Sequence, residues 1–245
     1  MRVGLFVTCL VDLMRPSVGL SALKLLEDAG CEVLVPAAQT CCGQPAYNSG
    51  DRRAAQALAR KVLSEFSSCD YVVVPSGSCG GMIKVHYPQL LEEFPELRSE
   101  AQRLAHKVWE LADFLVSVLG VQQVAGRFEG TVTYHDCCSG LRELGVKLQP
   151  RGLLAKVPGL TLREMGSPEQ CCGFGGTFAV KFGDISAHIA DEKCADIAHT
   201  GADAVVLGDV GCMLNIEGRL RRRGDARTKV LHFAEILAGV TNDPS

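Results

Sequence analysis

Short apolar runs rich in β-branched residues alternate along this chain with longer stretches whose apolar positions recur at helical spacing. That alternation predicts a parallel sheet covered by helices, because parallel neighbours need a long crossover to bring the chain back. In the first half it predicts strands at 3–7, 32–35 and 71–75, and helices at 17–29 and 51–66. The second of these helices carries Ala54, Ala55, Leu58, Val62 and Phe66 on one stripe, with Arg52, Arg53, Arg60 and Lys61 elsewhere, so it lies on a sheet with its charges outward. The second half repeats the scheme with strands at 131–134, 160–164 and 204–207, a candidate fourth at 229–232, and a helix at 184–199. Between them, 101–119 reads as one helix and 120–130 as a connection. The expected fold is α/β, built from two similar half-domains, 1–125 and 126–245, each a parallel sheet flanked by helices and related by a pseudo-two-fold repeat.

The cysteines repeat with the same period. Cys9, Cys41-Cys42-Gly43 and Cys79 recur as Cys138, Cys171-Cys172-Gly173 and Cys212, about 130 positions later in each case. A period of that length marks a duplicated unit. In an open parallel sheet, sites form beyond the carboxyl ends of the strands, and all eight of these cysteines follow a predicted strand. Cys31 and Cys69 precede strands, at the opposite edge. Cys194 shares a helix stripe with Ala190 and Ile197, and Cys137, beside Cys138, stays open.

Composition narrows the chemistry. The chain has 245 residues, 47% hydrophobic and 22% charged, enough to bury a core without disulfide staples. Its twelve cysteines therefore suit a reducing, cytoplasmic setting. A net charge of −3 gives no field that would draw nucleic acid or an anionic membrane. The opening MRVGLFVTCLVDLM is interrupted by Asp12 and reads as a buried strand, not a leader. No stretch approaches the roughly 20 apolar residues of a membrane span.

Four thiols per half is the number that holds an iron–sulfur cluster, and a [4Fe–4S] type is the expected one. Adjacent cysteines can serve one centre only if the loop bends sharply, which the glycine after each pair permits. The run Gly173-Phe174-Gly175-Gly176 lets bare backbone approach and donate N–H groups to sulfur. Zinc is the alternative metal, although the usual pairs of cysteines two to four residues apart are absent. Buried structural thiols without metal are the third reading.

At CCGQP, SGSC, CCGFGGTF and GCMLNIEGRL the chain resembles the CCG, or cysteine-rich-domain, proteins. These include the heterodisulfide reductase B subunit, the anaerobic glycerol-3-phosphate dehydrogenase C subunit and the glycolate oxidase iron–sulfur subunit, and the best match is the lactate-utilization protein A group. The resemblance covers nearly the whole chain. It implies an iron–sulfur subunit of a complex oxidising L-lactate to pyruvate, with a ferredoxin-type iron–sulfur subunit and a third small subunit as partners and L-lactate as a candidate ligand. It makes Cys9, Cys41, Cys42, Cys79, Cys138, Cys171, Cys172 and Cys212 the cluster and metal ligands. In the wider family a fifth cysteine follows in a final C-x-x-C, but Met82 and Asn215 occupy those places here. That departure weakens a heterodisulfide-type thiol/disulfide reductase as the alternative function. A non-redox zinc protein or scaffold is the other alternative.

His135 and Asp136 are the candidate acid–base pair for oxidising a 2-hydroxy acid; the bland reading is a polar strand end. His86 with Tyr87, and Tyr47 with Asn48, are candidates for shaping the crevice, against a surface helix and a turn. Arg219, Arg221, Arg222 and Arg223 form one basic cluster at a helix end, where the dipole favours cations. No strand is followed by a G-x-G-x-x-G or Walker loop, so no nucleotide, nicotinamide or flavin is expected on this chain.

Overall fold

The structure, a computed structural model, describes residues 1–240; residues 241–245 of the expected second half lie outside the described residues. Eight strands form two sheets. The first holds β1 (Arg2–Leu5), β2 (Glu32–Leu34), β3 (Tyr71–Val74) and β4 (Val108–Glu110) in the order β2-β1-β3-β4. The second holds β5 (Gly130–Tyr134), β6 (Leu160–Leu162), β7 (Ala204–Leu207) and β8 (Lys229–His232) in the order β6-β5-β7-β8. Every pairing is parallel. The repeat extends to single hydrogen bonds. Phe6 N donates to Val73 O at 2.9 Å, and in the second half His135 N donates to Val206 O at 2.9 Å.

The predicted elements recur with ends shifted by a residue or two, except for one. The segment 101–119 is not a single helix. A helix Pro95–Lys107 ends where β4 begins, and helical structure resumes at Leu111. Val108 and Trp109 favour extended backbone, and β4 pairs with β3 as Val72 with Val108 and Val74 with Glu110. Three residues are too few to interrupt a helical period visibly in sequence.

The two halves share one apolar core. Val3, Leu5 and Val73 of the first sheet belong to the same buried cluster as Val132, Tyr134, Val206 and Phe233 of the second. Helix Pro16–Asp28 packs on helix Phe233–Ala238, where Ser17 Oγ donates to Glu235 Oε1 at 2.6 Å. Arg15 pairs with Glu217 across the same boundary. Beneath the crevice, helix Gly77–Gly81 crosses helix Cys138–Leu144 so closely that a Cβ on Gly77 would stand 2.8 Å from Gly140 Cα. In each sheet the strand order reverses between its first and third strands, which is where open α/β sheets place their sites.

Candidate metal centres

In the first half, Thr8 follows β1 and caps the helix Cys9–Met14, its Oγ1 accepting from Val11 N at 3.3 Å. This fixes Cys9 at the helix start. Cys41 and Cys42 lie in the loop after β2, and Gly43, at φ +84°, turns that loop into the helix Gln44–Asn48. The turn aims Gly43 N at Cys41 Sγ, 3.4 Å away. Cys79 sits in the short helix after β3, capped by Ser76. Cys42 Sγ and Cys79 Sγ are 3.3 Å apart. The fully buried Tyr87 donates its hydroxyl to Cys42 O at 2.8 Å and pins the loop.

The second half repeats the construction. Cys138 begins the helix after β5, and Gly173 has the same φ of +84° and donates to Cys171 Sγ at 3.3 Å. Phe174 N lies 3.5 Å from Cys172 Sγ, and Cys172 Sγ is 2.9 Å from Cys212 Sγ. Asn215 Nδ2 donates to Cys172 O at 2.8 Å, doing for this loop what Tyr87 does for the first. The residue in the place of a fifth thiolate therefore holds the loop backbone.

Crowded thiols cannot all ionise in protein alone. S–H donation from Cys42 and Cys9 pulls the Cys41 thiol down to about 3, while Cys9 and Cys42 are pushed up by their contact with Cys41. Donation from Cys138 and Cys172 pulls Cys171 down to about 2, and those two neighbours are pushed up in turn. Each set thus carries one thiolate solvated by protonated neighbours. A cation that lets the remaining thiols ionise removes the mutual repulsion, which is the electrostatic character of a thiolate metal site.

Asp209 joins the two sets. Its Oδ1 accepts from Gly211 N at 3.0 Å and Cys212 N at 3.4 Å, capping the helix Val210–Arg222 that carries Cys212. Its Oδ2 accepts from Ser76 Oγ at 2.8 Å, Ser78 Oγ at 2.6 Å and Ser78 N at 3.0 Å in the first half. A cavity of about 230 Å³ opens on Cys9, Cys41, Cys42 and Cys79, and another of about 330 Å³ on Cys138, Cys171, Cys172 and Cys212. Each is covered by the opposite half. Thr177 and Val180 wall the first, while Tyr47, Asn48 and His86 wall the second. Phe174, whose ring leaves no room for a Cβ on Gly211, lines both.

All eight sequence-predicted ligands therefore gather in two sets of four. The predicted acid–base pair is split: Arg151 grips Asp136 at 2.7 and 3.0 Å, while the fully buried His135 lies with Cys172 and Cys212, their ligand atoms all within 4.8 Å of one another. Burial holds His135 neutral, pushed down to about 3. Cys137 stands where Thr8 stands in the first half and its thiol contacts Cys212, pushing the latter up. His86 lines the second cavity and pairs with Glu143 at 3.2 Å. Cys31, Cys69 and Cys194 are buried away from both cavities. Arg219 and Arg223 pair with Asp191, and Arg221 donates to the Asp225 and Thr228 carbonyls. Sequence reasoning missed Asp209 and the ring of Phe174, and it placed Tyr87 near the crevice without seeing that its hydroxyl holds the Cys42 loop. Only Asp209 carried a local signal, as an N-cap residue ahead of the Cys212 helix.

The donor set fits a thiolate-ligated cluster: four sulfur ligands per cavity, backbone N–H groups aimed at sulfur, and a neutral imidazole beside the second set. Two sheets of one topology, each presenting such a set, define a duplicated cysteine-rich α/β protein. The family profile described as cysteine-rich domain (CCG) matches residues 3–84 and again 132–217. The chain belongs to this family, and within it to the lactate utilization protein A group. It is 49% identical over 237 residues to lactate utilization protein A of Geobacillus kaustophilus, covering 97% of this chain and 98% of the relative. It is 46% identical to the protein of that name from Bacillus subtilis, covering 97% and 99%. A hypothetical protein from Helicobacter pylori shares the fold, with a TM-score of 0.70 at 12% identity over 99% of this chain; this chain spans about half, 49%, of that structure.

Proposed function

We propose that this chain is the iron–sulfur subunit of a complex that oxidises L-lactate to pyruvate, and that it relays electrons through [4Fe–4S]-type centres held by its two thiol sets. The observation carrying this reading is the pair of four-cysteine sets at matching strand ends, each covered by the opposite half. Cys9, Cys41, Cys42 and Cys79 would hold one cluster, and Cys138, Cys171, Cys172 and Cys212 the other. Such a centre supplies one-electron storage at a potential set by its surroundings. This chain's residues supply the ligands, the N–H groups of Gly43, Gly173 and Phe174, and walls that limit water.

The cavities favour a relay over a complete dehydrogenase. Among the described residues, neither is lined by a lysine or arginine that would anchor a carboxylate substrate, whereas Asp209 lines both and Glu143 the second. Hydride removal from lactate then belongs to a partner, with a ferredoxin-type iron–sulfur subunit and a third small subunit completing the complex. Free thiols suit a cytoplasmic setting, and no described helix is long and apolar enough to cross a membrane. The two matched segments suit separate half-domains meeting near residue 125.

The test is anaerobic purification with iron and sulfide analysis, followed by lactate addition in the presence of the partner subunits. Iron with matching sulfide, and lactate-dependent bleaching only with partners, is the expected result. Stoichiometric zinc without sulfide would replace the reading with a zinc protein. Disulfide turnover by the isolated chain would replace it with a reductase.

A further inference from the structure

The two thiol sets are alike at their four matched positions, but the polypeptide around them differs, and one of the differences places a side chain with ring nitrogens against the ligands. After β1 the residue bonded to Val73 O is Phe6; after β5 the residue bonded to Val206 O is His135. Phe6 is buried against Phe66, with ring centroids 5.7 Å apart, and has nothing to coordinate with. His135 is equally buried, and neither ring nitrogen makes a hydrogen bond of full geometry among the described residues, although the Pro168 carbonyl lies beside the ring. Leaving such a group unpaired costs on the order of 1–3 kcal/mol, so its surroundings in the working protein must supply a partner. What faces the ring is the pair Cys172 and Cys212, with ligand atoms within 4.8 Å. From the helix Gly183–Thr200, Lys193 is spoken for by Ser167 O, and Asp136 by Arg151.

We propose that His135 is a nitrogen ligand of the second centre beside Cys172 and Cys212, taking the place of one of the other two cysteines of that set, so that the two halves hold chemically different centres. The inference rests on the iron–sulfur reading above. Replacing a thiolate by a neutral imidazole removes one negative charge from the centre, and such replacement raises a cluster's potential. The second centre is then the more oxidising of the two, and electrons entering at the first run toward the second. The first half, with Phe6, keeps an all-thiolate centre.

The experiment is pulsed electron paramagnetic resonance on the full-length, anaerobically reconstituted and reduced protein, in a Cys42→Ser background that disables the first set. Samples carry natural-abundance or ¹⁵N-labelled histidine, so the wild-type His135 answers without being mutated. The expected result is a nitrogen coupling of the strength of directly bound imidazole that changes with the label. It should vanish in His135→Phe, which copies the first half, and persist in His86→Gln, which removes the histidine that lines that cavity. Potentiometry should show the second centre's potential falling in His135→Phe. A cluster with no label-sensitive coupling, or a coupling lost in His86→Gln and kept in His135→Phe, overturns the proposal while leaving the iron–sulfur reading intact. Absence of any iron and sulfide overturns both.

Discussion

Asp209 Oδ2 accepts a 2.6 Å hydrogen bond from Ser78 Oγ across the boundary between the two halves, while its Oδ1 caps the helix that bears Cys212. One buried carboxylate therefore fixes the start of two cysteine-bearing helices at once. Removing it strands Ser76 and Ser78 as well as two helix N–H groups. Asp209→Ala should lose about 3 kcal/mol or more, given the strength of hydrogen bonds to a charged acceptor. Ser78→Ala, which keeps the carboxylate and its other partners, should lose far less. Urea midpoints of the two variants make the comparison, and equal losses would show that Asp209 acts only through Ser78.

The two thiol sets sit in separate cavities walled apart by Phe174, so their loading should be separable. Cys42→Ser and Cys172→Ser should each bind about half the wild-type iron, and the double variant almost none. Iron and sulfide per chain after anaerobic reconstitution provide the check. If either single variant lost all its iron, the sets would form one joint centre.

How far these sites were legible follows from what each residue depends on. The paired CCG motifs announce themselves because a loop that must bend sharply requires glycine wherever it occurs. Asp209 could be read as a cap of its own helix, but its bonds to Ser76 and Ser78 exist only once two distant segments meet. His135 and Asp136 look like a pair in sequence, yet successive residues of an extended segment point to opposite sides. One therefore meets the thiols and the other meets Arg151. β4 stayed hidden because Val108–Glu110 is too short to break a helical pattern and is recognised by its pairing with β3.

Glu110 is wholly buried at the end of β4, and burial pushes its carboxyl up to about 8 even though Ala112 N and Asp113 N both donate to it. Between the unfolded value near 4.5 and about 8, the folded protein keeps a proton that the unfolded chain has lost. This group's contribution is therefore fully present below pH 4.5 and is lost as pH rises through 8. Glu110→Gln stays neutral and keeps an acceptor for both N–H groups. Its stability relative to wild type should rise from pH 5 to pH 8 and level off above, by as much as about 4 kcal/mol. Taking the difference at each pH cancels the thiols, which titrate in both proteins. Chemical denaturation across pH 5–9 tests it, and a pH-independent difference would mean that Glu110 is ionised throughout.

Gly43 and Gly173 share a φ of +84° but have different surroundings, which separates backbone strain from crowding. A Cβ on Gly43 would touch Leu58 Cβ at 3.4 Å and Ala55 O at 3.5 Å, both ordinary contacts. Gly43→Ala should therefore cost only the left-handed penalty, about 1–2 kcal/mol. A Cβ on Gly173 would lie 2.6 Å from Ser186 O and 3.3 Å from Ala190 N, in the backbone of the helix Gly183–Thr200. Backbone cannot swing aside as a side chain can, so the CCG loop must lift away from that helix. The lift would also stretch the 2.7 Å bond from Ser186 Oγ to Gly173 O and move Cys171 and Cys172 off their partners. Gly173→Ala should accordingly lose more stability than Gly43→Ala and lose iron from the second set alone. Iron content and denaturation midpoints of the two alanine variants, measured side by side, check both halves of the claim. Equal effects at the two glycines would show that the turn conformation, not the packing behind it, governs both loops.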